Sequence, residues 1–271
     1  MSVWRILRPP LVAGTLLAGQ MARAIFRDDL PSLDNQDPSG LFGDPDSPPL
    51  RLVFLGDSSV TSPGVEPLDH SWPRQMAIHL ASRYRVEAIS VASGGSKVRD
   101  VLDEQVEAAL EARPDIAYLV VGSNDALRGT PVARFESDFN RIVAELYDSV
   151  PAIGLSGIGD LGAIPRLPEL ARGVARVRAR AIDRAVARVA ARYPRTVKSN
   201  AWDVMASFAR DPTLFADDLF HASAAGHLAF AQVGAPMADR LVEILEENRD
   251  RGLLRRFGTD SCRFLRQSPE G

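Results

Sequence analysis

The sequence is poor in cysteine and in net charge, and both shortages exclude classes of protein. Its 271 residues include one cysteine, Cys262, which excludes an internal disulfide and any site built from paired cysteines. The 32 lysines and arginines are nearly balanced by 35 acidic residues, so the formal net charge is only −3. Because nucleic-acid-binding domains are typically strongly basic, we expect no nucleic-acid partner.

A long apolar run is also lacking. Residues 9–22 are uncharged, but a helix needs about 20 apolar residues to cross a bilayer. Arg5 and Arg8 precede this stretch, and Ala22-Arg23-Ala24 resembles a signal-peptidase site. Residues 1–27 therefore predict either a helix docked on the domain or a membrane surface, or a cleaved signal. We expect a cytoplasmic or peripheral membrane protein, with secretion as the alternative.

The rest of the chain alternates short apolar runs with longer amphipathic segments. Residues 28–50 are rich in Asp, Pro, Ser and Gly, which predicts a linker. The apolar runs predict strands, and the amphipathic segments predict helices. The expected strands are 51–56, 86–91, 116–122, 151–155 and 196–201, and the expected helices are 72–84, 98–112, 135–147, 168–193 and 224–247. We expect one domain over 51–247 and a polar tail over 248–271.

This alternation predicts an α/β fold, a three-layer α/β/α sandwich of the flavodoxin-like type. Its five-stranded sheet should be parallel and covered by helices on both faces. In such sheets ligands bind beyond the carboxyl ends of the strands. The residues that follow each strand are therefore the ones that indicate function.

Four segments at these positions carry chemically useful side chains. Serine is a nucleophile once a base takes its proton, and histidine is such a base near neutral pH. Asparagine and the backbone of a glycine turn can stabilise an oxyanion. Together these residue types predict acyl transfer. The segments are Gly56-Asp57-Ser58-Ser59, Ser93-Gly94-Gly95-Ser96, Gly122-Ser123-Asn124-Asp125 and Asp218-Leu219-Phe220-His221.

Three of these segments resemble motifs of the SGNH, or GDSL, family of serine esterases and lipases. Gly56-Asp57-Ser58 is similar to the nucleophile motif, Gly122-x-Asn124-Asp125 to G-x-N-D, and Asp218-x-x-His221 to D-x-x-H, in family order over approximately residues 51–247. The resemblance implies the SGNH hydrolase fold and a triad in which Ser58 is the nucleophile, His221 the base and Asp218 the carboxylate that orients it. Asp217 is a rival to Asp218, but the spacing to His221 selects Asp218.

The resemblance also implies an oxyanion hole. Its donors are the N–H of Ser58, the N–H of Gly95 and the side-chain amide of Asn124, with Gly94 as the alternative to Gly95. The second motif departs from the family pattern, because no asparagine precedes its glycines. This departure leaves the rigidity of that turn to be explained, but it does not affect the triad.

The resemblance implies hydrolysis of carboxylic esters through an acyl-serine intermediate, without a metal or other cofactor. We expect lipid-type or other acyl esters rather than acetylated sugars as the small-molecule substrate. Two alternatives stay open: a non-catalytic membrane-surface or scaffold protein on the same fold, and an acyltransferase. The remaining histidines, His70, His79 and His227, lack metal-site spacing and predict packing or surface roles.

Two further patterns, a glycine-rich segment and a row of arginines, resemble binding sites but also have simpler structural explanations. Residues 157–162 match the glycine pattern of dinucleotide-binding loops, but the prolines at 165 and 168 interrupt the helix that should follow, so we expect a loop flanking the active site. Six arginines recur every fourth residue from Arg172 to Arg192. They predict a solvated face, or alternatively peripheral contact with anionic lipid. Val174, Val177, Ala181, Ala185 and Val189 are the expected buried face of this helix, and we expect a monomer.

Overall fold

The computed structural model describes residues 29–250, together with residue 19. The predictions for residues 1–27, apart from that one position, and for Cys262 and the tail beyond residue 250 lie outside the described residues. Within the described part of the chain, no helix combines the length and the apolar character that crossing a bilayer requires.

A six-stranded sheet forms the centre of the domain, with the strand order β1-β3-β2-β4-β5-β6. Strands β2 to β6 are parallel, and β1 pairs antiparallel with β3 at one edge. The parallel strands follow the flavodoxin-like order, which confirms the predicted fold class. The strands are β1 (Gly40–Phe42), β2 (Pro49–Gly56), β3 (Arg85–Ser90), β4 (Ile116–Val120), β5 (Ala152–Ser156) and β6 (Thr196–Ser199).

The expected number of five strands is one too low, because β1 lies within the segment predicted as a linker. Gly40 pairs with Ala88 and Phe42 pairs with Val86. Leu41, the middle residue, is exposed. An edge strand of three residues with an exposed centre has no apolar run, so its sequence resembles the turn-rich segment around it.

Nine α-helices have their bounds within residues 29–250, and they include all five predicted helices. The predicted helix over 98–112 is divided at Gln105 into two. The short helices α1, α5 and α8 were not predicted as helices. The helices are α1 (Ser58–Thr61), α2 (Trp72–Leu80), α3 (Val98–Glu104), α4 (Val106–Glu111), α5 (Ser123–Arg128), α6 (Val132–Ser149), α7 (Glu169–Ala190), α8 (Ala201–Phe208) and α9 (Ala224–Asp250).

The sheet separates two apolar cores, as the sandwich requires. Val53 and Leu55 of β2 pack with residues of α3, α4, α6, α7 and α8. Leu52 and Phe54 of the same strand pack on the opposite face with residues of α2 and α9. Because successive side chains of a strand point to opposite faces, burial on both faces requires the continuous apolar run seen in β2.

The expected buried face of α7 is confirmed for Ala185 and Val189, which are fully buried, but it is wrong in the first half of the helix. Val174 and Val177 are exposed, the latter by 69%. Ala175, Ala179 and Ile182 face the core instead. The small alanines recur at positions that contact the core, whereas two of the more apolar valines fall outside that face.

Six arginines form a stripe along α7 and just beyond its end, where Arg192 lies, and most of them contact other parts of the protein. Arg176 pairs with Asp160, and Arg188 and Arg192 both pair with Glu136. Arg180 lies over the ring of Trp202, with its guanidinium carbon 4.4 Å from the ring centre. The stripe is therefore engaged in intramolecular contacts, and lipid contact by it stays a prediction.

Candidate active site

The nucleophile motif forms a tight turn where β2 ends. Gly56 has a φ of +151°, and a Cβ there would lie 2.1 Å from the carbonyl oxygen of Val120 on β4. Only glycine permits this close approach of the two strands. Asp57 then caps α1, because its Oδ1 accepts a hydrogen bond from the N–H of Ser59 at 2.9 Å. The turn places Ser58 at the carboxyl edge of the sheet.

The structure brings together Ser58, His221 and Asp218. The Nε2 atom of His221 lies 3.1 Å from Oγ of Ser58, and its Nδ1 lies 2.7 Å from Oδ2 of Asp218. These distances are the ones that a base and its orienting carboxylate need to activate a serine. Asp218 is buried, whereas its rival Asp217 is exposed.

Asp218 is arranged to stay ionised. Partial burial opposes the charge, but hydrogen bonds from the side chain and backbone of His221 and from the N–H of Phe220 outweigh it, so the pKa of Asp218 lies below its ordinary value. Its Oδ1 accepts both backbone N–H groups, at 2.9 Å and 3.0 Å. A carboxylate held in this way can stabilise the imidazolium that forms when His221 takes a proton.

Asn124, the second residue of α5, lies between the first two motifs. Its Nδ2 donates to the carbonyl oxygen of Ser96 at 3.1 Å and lies 3.5 Å from Oδ2 of Asp57. The Asp57 carboxyl is buried, and burial raises its pKa. The side-chain amide of Asn124 therefore has one normal hydrogen bond and one long, weak contact.

The second motif is a tight turn that glycine makes possible. The N–H of Ser96 donates to the carbonyl oxygen of Ser93 at 3.3 Å. Gly95 occupies the third position with a φ of +81°, as in a type II turn. Gly94 has no such left-handed conformation. Which of the two glycines donates to an oxyanion stays a prediction.

Gln105 is a site residue that the sequence analysis missed. It is buried at the junction of α3 and α4. Its Oε1 accepts from the N–H of Gly56 at 2.8 Å, while its Nε2 donates to the carbonyl of Gly56 at 3.0 Å and contacts Oγ of Ser96 at 3.2 Å. Gln105 thus joins the first motif to the second. The available signal was that Gln105 falls on the apolar face of the predicted helix over 98–112, where an apolar residue is expected.

The loop that carries Asn124 is fixed from two sides. Asp125 is buried, which raises its pKa, and its Oδ2 accepts from the N–H of Val98 at the start of α3 at 2.9 Å. Arg178 of α7 donates to the carbonyl oxygens of Asp125, Ala126 and Thr130 at 3.2 Å, 2.6 Å and 2.6 Å. These bonds tie α7 to the carbonyls of α5 and of Thr130 just after it.

A cavity of about 160 Å³ opens beside Ser58 and His221. Its wall is mostly apolar and comes from α2, α8, α9 and the loop that follows β5. The 157–162 segment is part of this wall, as its prediction as a flanking loop requires. The largest apolar side chains around the cavity are Trp72, Met205, Phe208, Phe215, Phe220 and Phe230.

The other histidines occupy packing or surface positions. His227 is buried at the cavity wall, where its Nδ1 accepts from the N–H of Trp72 at 3.3 Å. Burial lowers the pKa of His227 to about 3. His79 lies 3.1 Å from Asp239 near the surface. Over residues 29–250, no cluster of three or more His, Cys, Asp or Glu side chains is placed to hold a metal ion.

The fold and this site define an ester hydrolase of the SGNH type. The profile of the "GDSL-like Lipase/Acylhydrolase family" matches residues 54–229. This match covers more than half of the chain. The protein therefore belongs to the GDSL-like lipase/acylhydrolase family, and it is an enzyme of the esterase or lipase class.

Solved structures agree with this family at the level of the fold. LAE5, an alpha/beta hydrolase enzyme from the metagenome of Lake Arreo, Spain, is 19% identical with a TM-score of 0.59, over 72% of this chain and 97% of its own. TesA is 20% identical with a TM-score of 0.60, over 70% and 99%. Axe2, an acetylxylan esterase from Geobacillus stearothermophilus, is 19% identical with a TM-score of 0.59, over 71% and 95%. No curated protein matches the sequence significantly.

Proposed function

We propose that the protein hydrolyses carboxylic acyl esters through an acyl intermediate on Ser58. The observation that carries this proposal is the continuous hydrogen-bonded chain from Ser58 Oγ through His221 to Asp218, at 3.1 Å and 2.7 Å. This group of three side chains lies beside an apolar cavity that can receive the substrate. Family membership supports ester hydrolysis in general.

In the first half of the reaction, Oγ of Ser58 attacks the ester carbonyl carbon while its proton passes to Nε2 of His221. The bond from that carbon to the alcohol oxygen then breaks, and His221 gives the proton to the leaving alcohol. In the second half, water attacks the acyl-serine while His221 takes its proton. The proton returns to Ser58 as the carboxylic acid leaves.

The negative charge on the carbonyl oxygen needs donors that are aimed in advance. Ser58 is the first residue of α1, where a backbone N–H has no acceptor within the helix. We assign this N–H, the N–H of Gly95 and the Asn124 amide to the oxyanion. The Asn124 amide hydrogen that makes only the 3.5 Å contact with Asp57 is the one available to the oxyanion.

The cavity supports acyl chains longer than acetyl. An apolar cavity of about 150 Å³ holds one benzene molecule, so the cavity of about 160 Å³ here suits an acyl group of about six carbon atoms. One structural relative is an acetylxylan esterase. The apolar wall of this cavity favours an aliphatic acyl group over acetylated sugar.

The first test is ester turnover by the wild-type protein and by Ser58→Ala. We expect p-nitrophenyl hexanoate and p-nitrophenyl acetate to be hydrolysed by the wild type, with a higher kcat/KM for the hexanoate, and Ser58→Ala to fall to the uncatalysed rate. Ser82→Ala is the matched control, because Ser82 is exposed just after α2 and its hydroxyl donates to the carbonyl of His79, away from the site. Equal background rates for wild type and Ser58→Ala would favour the non-catalytic scaffold.

Two further measurements separate the remaining alternatives. A fluorophosphonate probe should attach to Ser58 in peptide mapping, and attachment to Ser59 would contradict the assigned nucleophile. Added alcohols distinguish hydrolysis from acyl transfer, because an acyltransferase would yield mainly the new ester instead of the free acid.

A further inference from the structure

The segment before β1 packs against the nucleophile helix. We call residues 33–39 the N-terminal arm. Gln36 donates its backbone N–H to the carbonyl oxygen of Thr61 at 2.8 Å. Its side-chain Nε2 donates to the carbonyls of Ser62 and Val65 at 3.0 Å and 3.1 Å. The arm therefore donates hydrogen bonds to carbonyls at the end of α1 and in the loop that follows it.

Asn35 of the arm contacts both α1, the helix that carries Ser58, and the glycine turn of the second motif. Its Oδ1 accepts from the hydroxyl of Thr61 at 2.5 Å, three residues after Ser58. Its side chain also lies directly over Gly94. A Cβ built on Gly94 would be 2.1 Å from Oδ1 and 2.5 Å from both Cγ and Nδ2 of Asn35. Asn35 thus bridges the nucleophile helix and the second motif.

A side chain at position 94 would collide with Asn35. Gly95 has a positive φ that itself favours glycine, whereas Gly94 does not. The three atoms that a methyl group at position 94 would meet most closely all belong to Asn35. A methyl group at position 94 would therefore displace the Asn35 side chain, whereas the backbone conformation of the turn does not itself favour glycine there.

The far end of the arm is anchored to the sheet and to α2. The hydroxyl of Ser39 accepts from the N–H of Ser90, the last residue of β3, at 2.9 Å. Arg74 of α2 donates to the carbonyls of Pro38 and Ser39 at 3.3 Å and 3.1 Å. The chain then continues into β1. The arm is consequently held at both ends, and Asn35 is presented to the second motif at a defined position.

We propose that the N-terminal arm is part of the active site and that Asn35 is a positioning residue for the oxyanion hole. Asn35 holds the Ser93–Ser96 turn close to α1, so that the N–H of Gly95 and the N–H of Ser58 both point to the position of the oxyanion. The turn consists only of serine and glycine and has no large side chain of its own to pack. This inference rests on the proposed function, since it concerns donors to the oxyanion.

The expected effect is on kcat and not on KM. Displacing an aimed group by about 1 Å can lower the rate about 100-fold. Substrate binding should be unaffected, because no residue of the arm lines the apolar cavity. A residue with a merely structural role would lower thermal stability and leave kcat unchanged at temperatures where the protein is folded.

The test compares Asn35→Ala, Gly94→Ala and the double variant in the full chain. Each single variant should lower kcat for p-nitrophenyl hexanoate by about 10-fold to 100-fold, because the first removes the bridge and the second displaces it. KM should stay within about twofold. The double variant should be no worse than Asn35→Ala, since the methyl group at position 94 then has no side chain to displace. Asn140→Ala is the matched control, because Asn140 is a half-buried asparagine of α6 whose side chain bonds Arg192 and Tyr193 and no residue of the site.

The outcomes distinguish this inference from the proposed function. If Ser58→Ala is inactive but both single variants keep the wild-type kcat, the positioning role is wrong and the proposed function stands. Additive losses in the double variant would also overturn the inference, because they would mean that Gly94→Ala acts independently of Asn35. Should Gly94→Ala fail to fold, recovery of folding in the double variant would establish the steric contact, and its kcat would then test the bridge.

Discussion

Asn124 is held between two motifs with one of its amide hydrogens weakly used. One hydrogen is bound by the carbonyl of Ser96 at 3.1 Å, which fixes the orientation of the side chain. The contact with Asp57 is long, at 3.5 Å. An oxyanion would therefore gain this donor without the loss of a strong bond, so the amide can act mainly on the transition state.

We expect Asn124→Ala to lower kcat about 100-fold with little change in KM, because removal of one oxyanion donor typically costs this much. Steady-state kinetics with p-nitrophenyl hexanoate measures both constants. Asn140→Ala serves again as the control. A rise in KM at constant kcat would mean that Asn124 binds the ground state and would contradict the assigned role.

Residues that act through their own chemistry could be predicted from the sequence. Ser58, Asn124 and His221 are polar residues that follow strands or precede the last helix, so the topology alone brings them to one edge. Gln105 and Asn35 could not be predicted in this way. They act on backbone groups 49 and 26 residues away along the chain, and no local pattern records such a partner.

Among the secondary-structure elements, α7 has a direct connection to the site. Arg178 reaches from it to three carbonyls in and just after α5, the helix that carries Asn124. The guanidinium group can donate several hydrogen bonds in a fixed planar geometry. The long helix therefore supports a helix of six residues that is too short to be stable alone.

Arg178→Ala should lower the free energy of unfolding by about 1.5–3 kcal/mol, the range for hydrogen bonds that involve a charged group. Urea denaturation followed by circular dichroism measures the change. Arg184→Ala is the control, because Arg184 is an exposed arginine on the same helix and its replacement has the same intrinsic effect on helix formation. Similar small losses in both variants would show that the bonds of Arg178 contribute little.

The short elements were the ones that the sequence analysis missed. Helices α1, α5 and α8 have four, six and eight residues, so their apolar periodicity covers too few turns to be recognised. The long elements were predicted because their patterns repeat. The break at Gln105 was not predicted, since residues 98–112 keep a helical pattern across it.

The stability of the whole molecule should depend on His227 in acid. Its pKa is lowered by burial from the ordinary 6.5 to about 3. Between these two values the unfolded chain binds a proton that the folded protein does not bind. The free energy of unfolding is thus fully retained above pH 6.5 and falls as the pH is lowered from 6.5 toward 3.

The lowered pKa of Asp218 also makes the free energy of unfolding fall as the pH decreases. This loss begins near pH 3.8, the ordinary pKa of the group, and continues below it. Asp57 and Asp125 act in the opposite direction, because their raised pKa values let the folded protein bind protons first. Above pH 4.5, His227 should therefore be the main cause of lost stability among these four groups.

We expect His227→Gln to flatten the loss of stability between pH 6.5 and pH 4.5. The glutamine oxygen can still accept from the N–H of Trp72, but it does not titrate. Thermal unfolding at a series of pH values measures the slope, and His79→Gln, which leaves His227 in place, should keep the wild-type slope. Identical slopes for wild type and His227→Gln would contradict a buried neutral imidazole.

The monomeric state, contact with a membrane and the cellular location stay predictions. The arginines along and just beyond α7 that were considered for lipid contact are mostly engaged with Asp160, Glu136 and Trp202. The exposed Val174 and Val177 belong to the same helix. Flotation with vesicles of anionic lipid measures membrane contact directly.

Apolar runs, their alternation and three short motifs are properties of neighbouring residues, so the sequence alone was enough to predict the sandwich and the enzyme family. It also indicated the three candidate triad residues that the structure brings together. The features that depend on contacts between segments distant along the chain were established only by the tertiary structure. These are the position of the N-terminal arm, the edge strand β1, the hydrogen bonds of Gln105 and the shape of the cavity. Such contacts are chosen by packing in three dimensions. Residues 33–39 are bound to the nucleophile helix by hydrogen bonds. Their turn-rich sequence does not record this, because its composition is the same as that of a linker without such contacts.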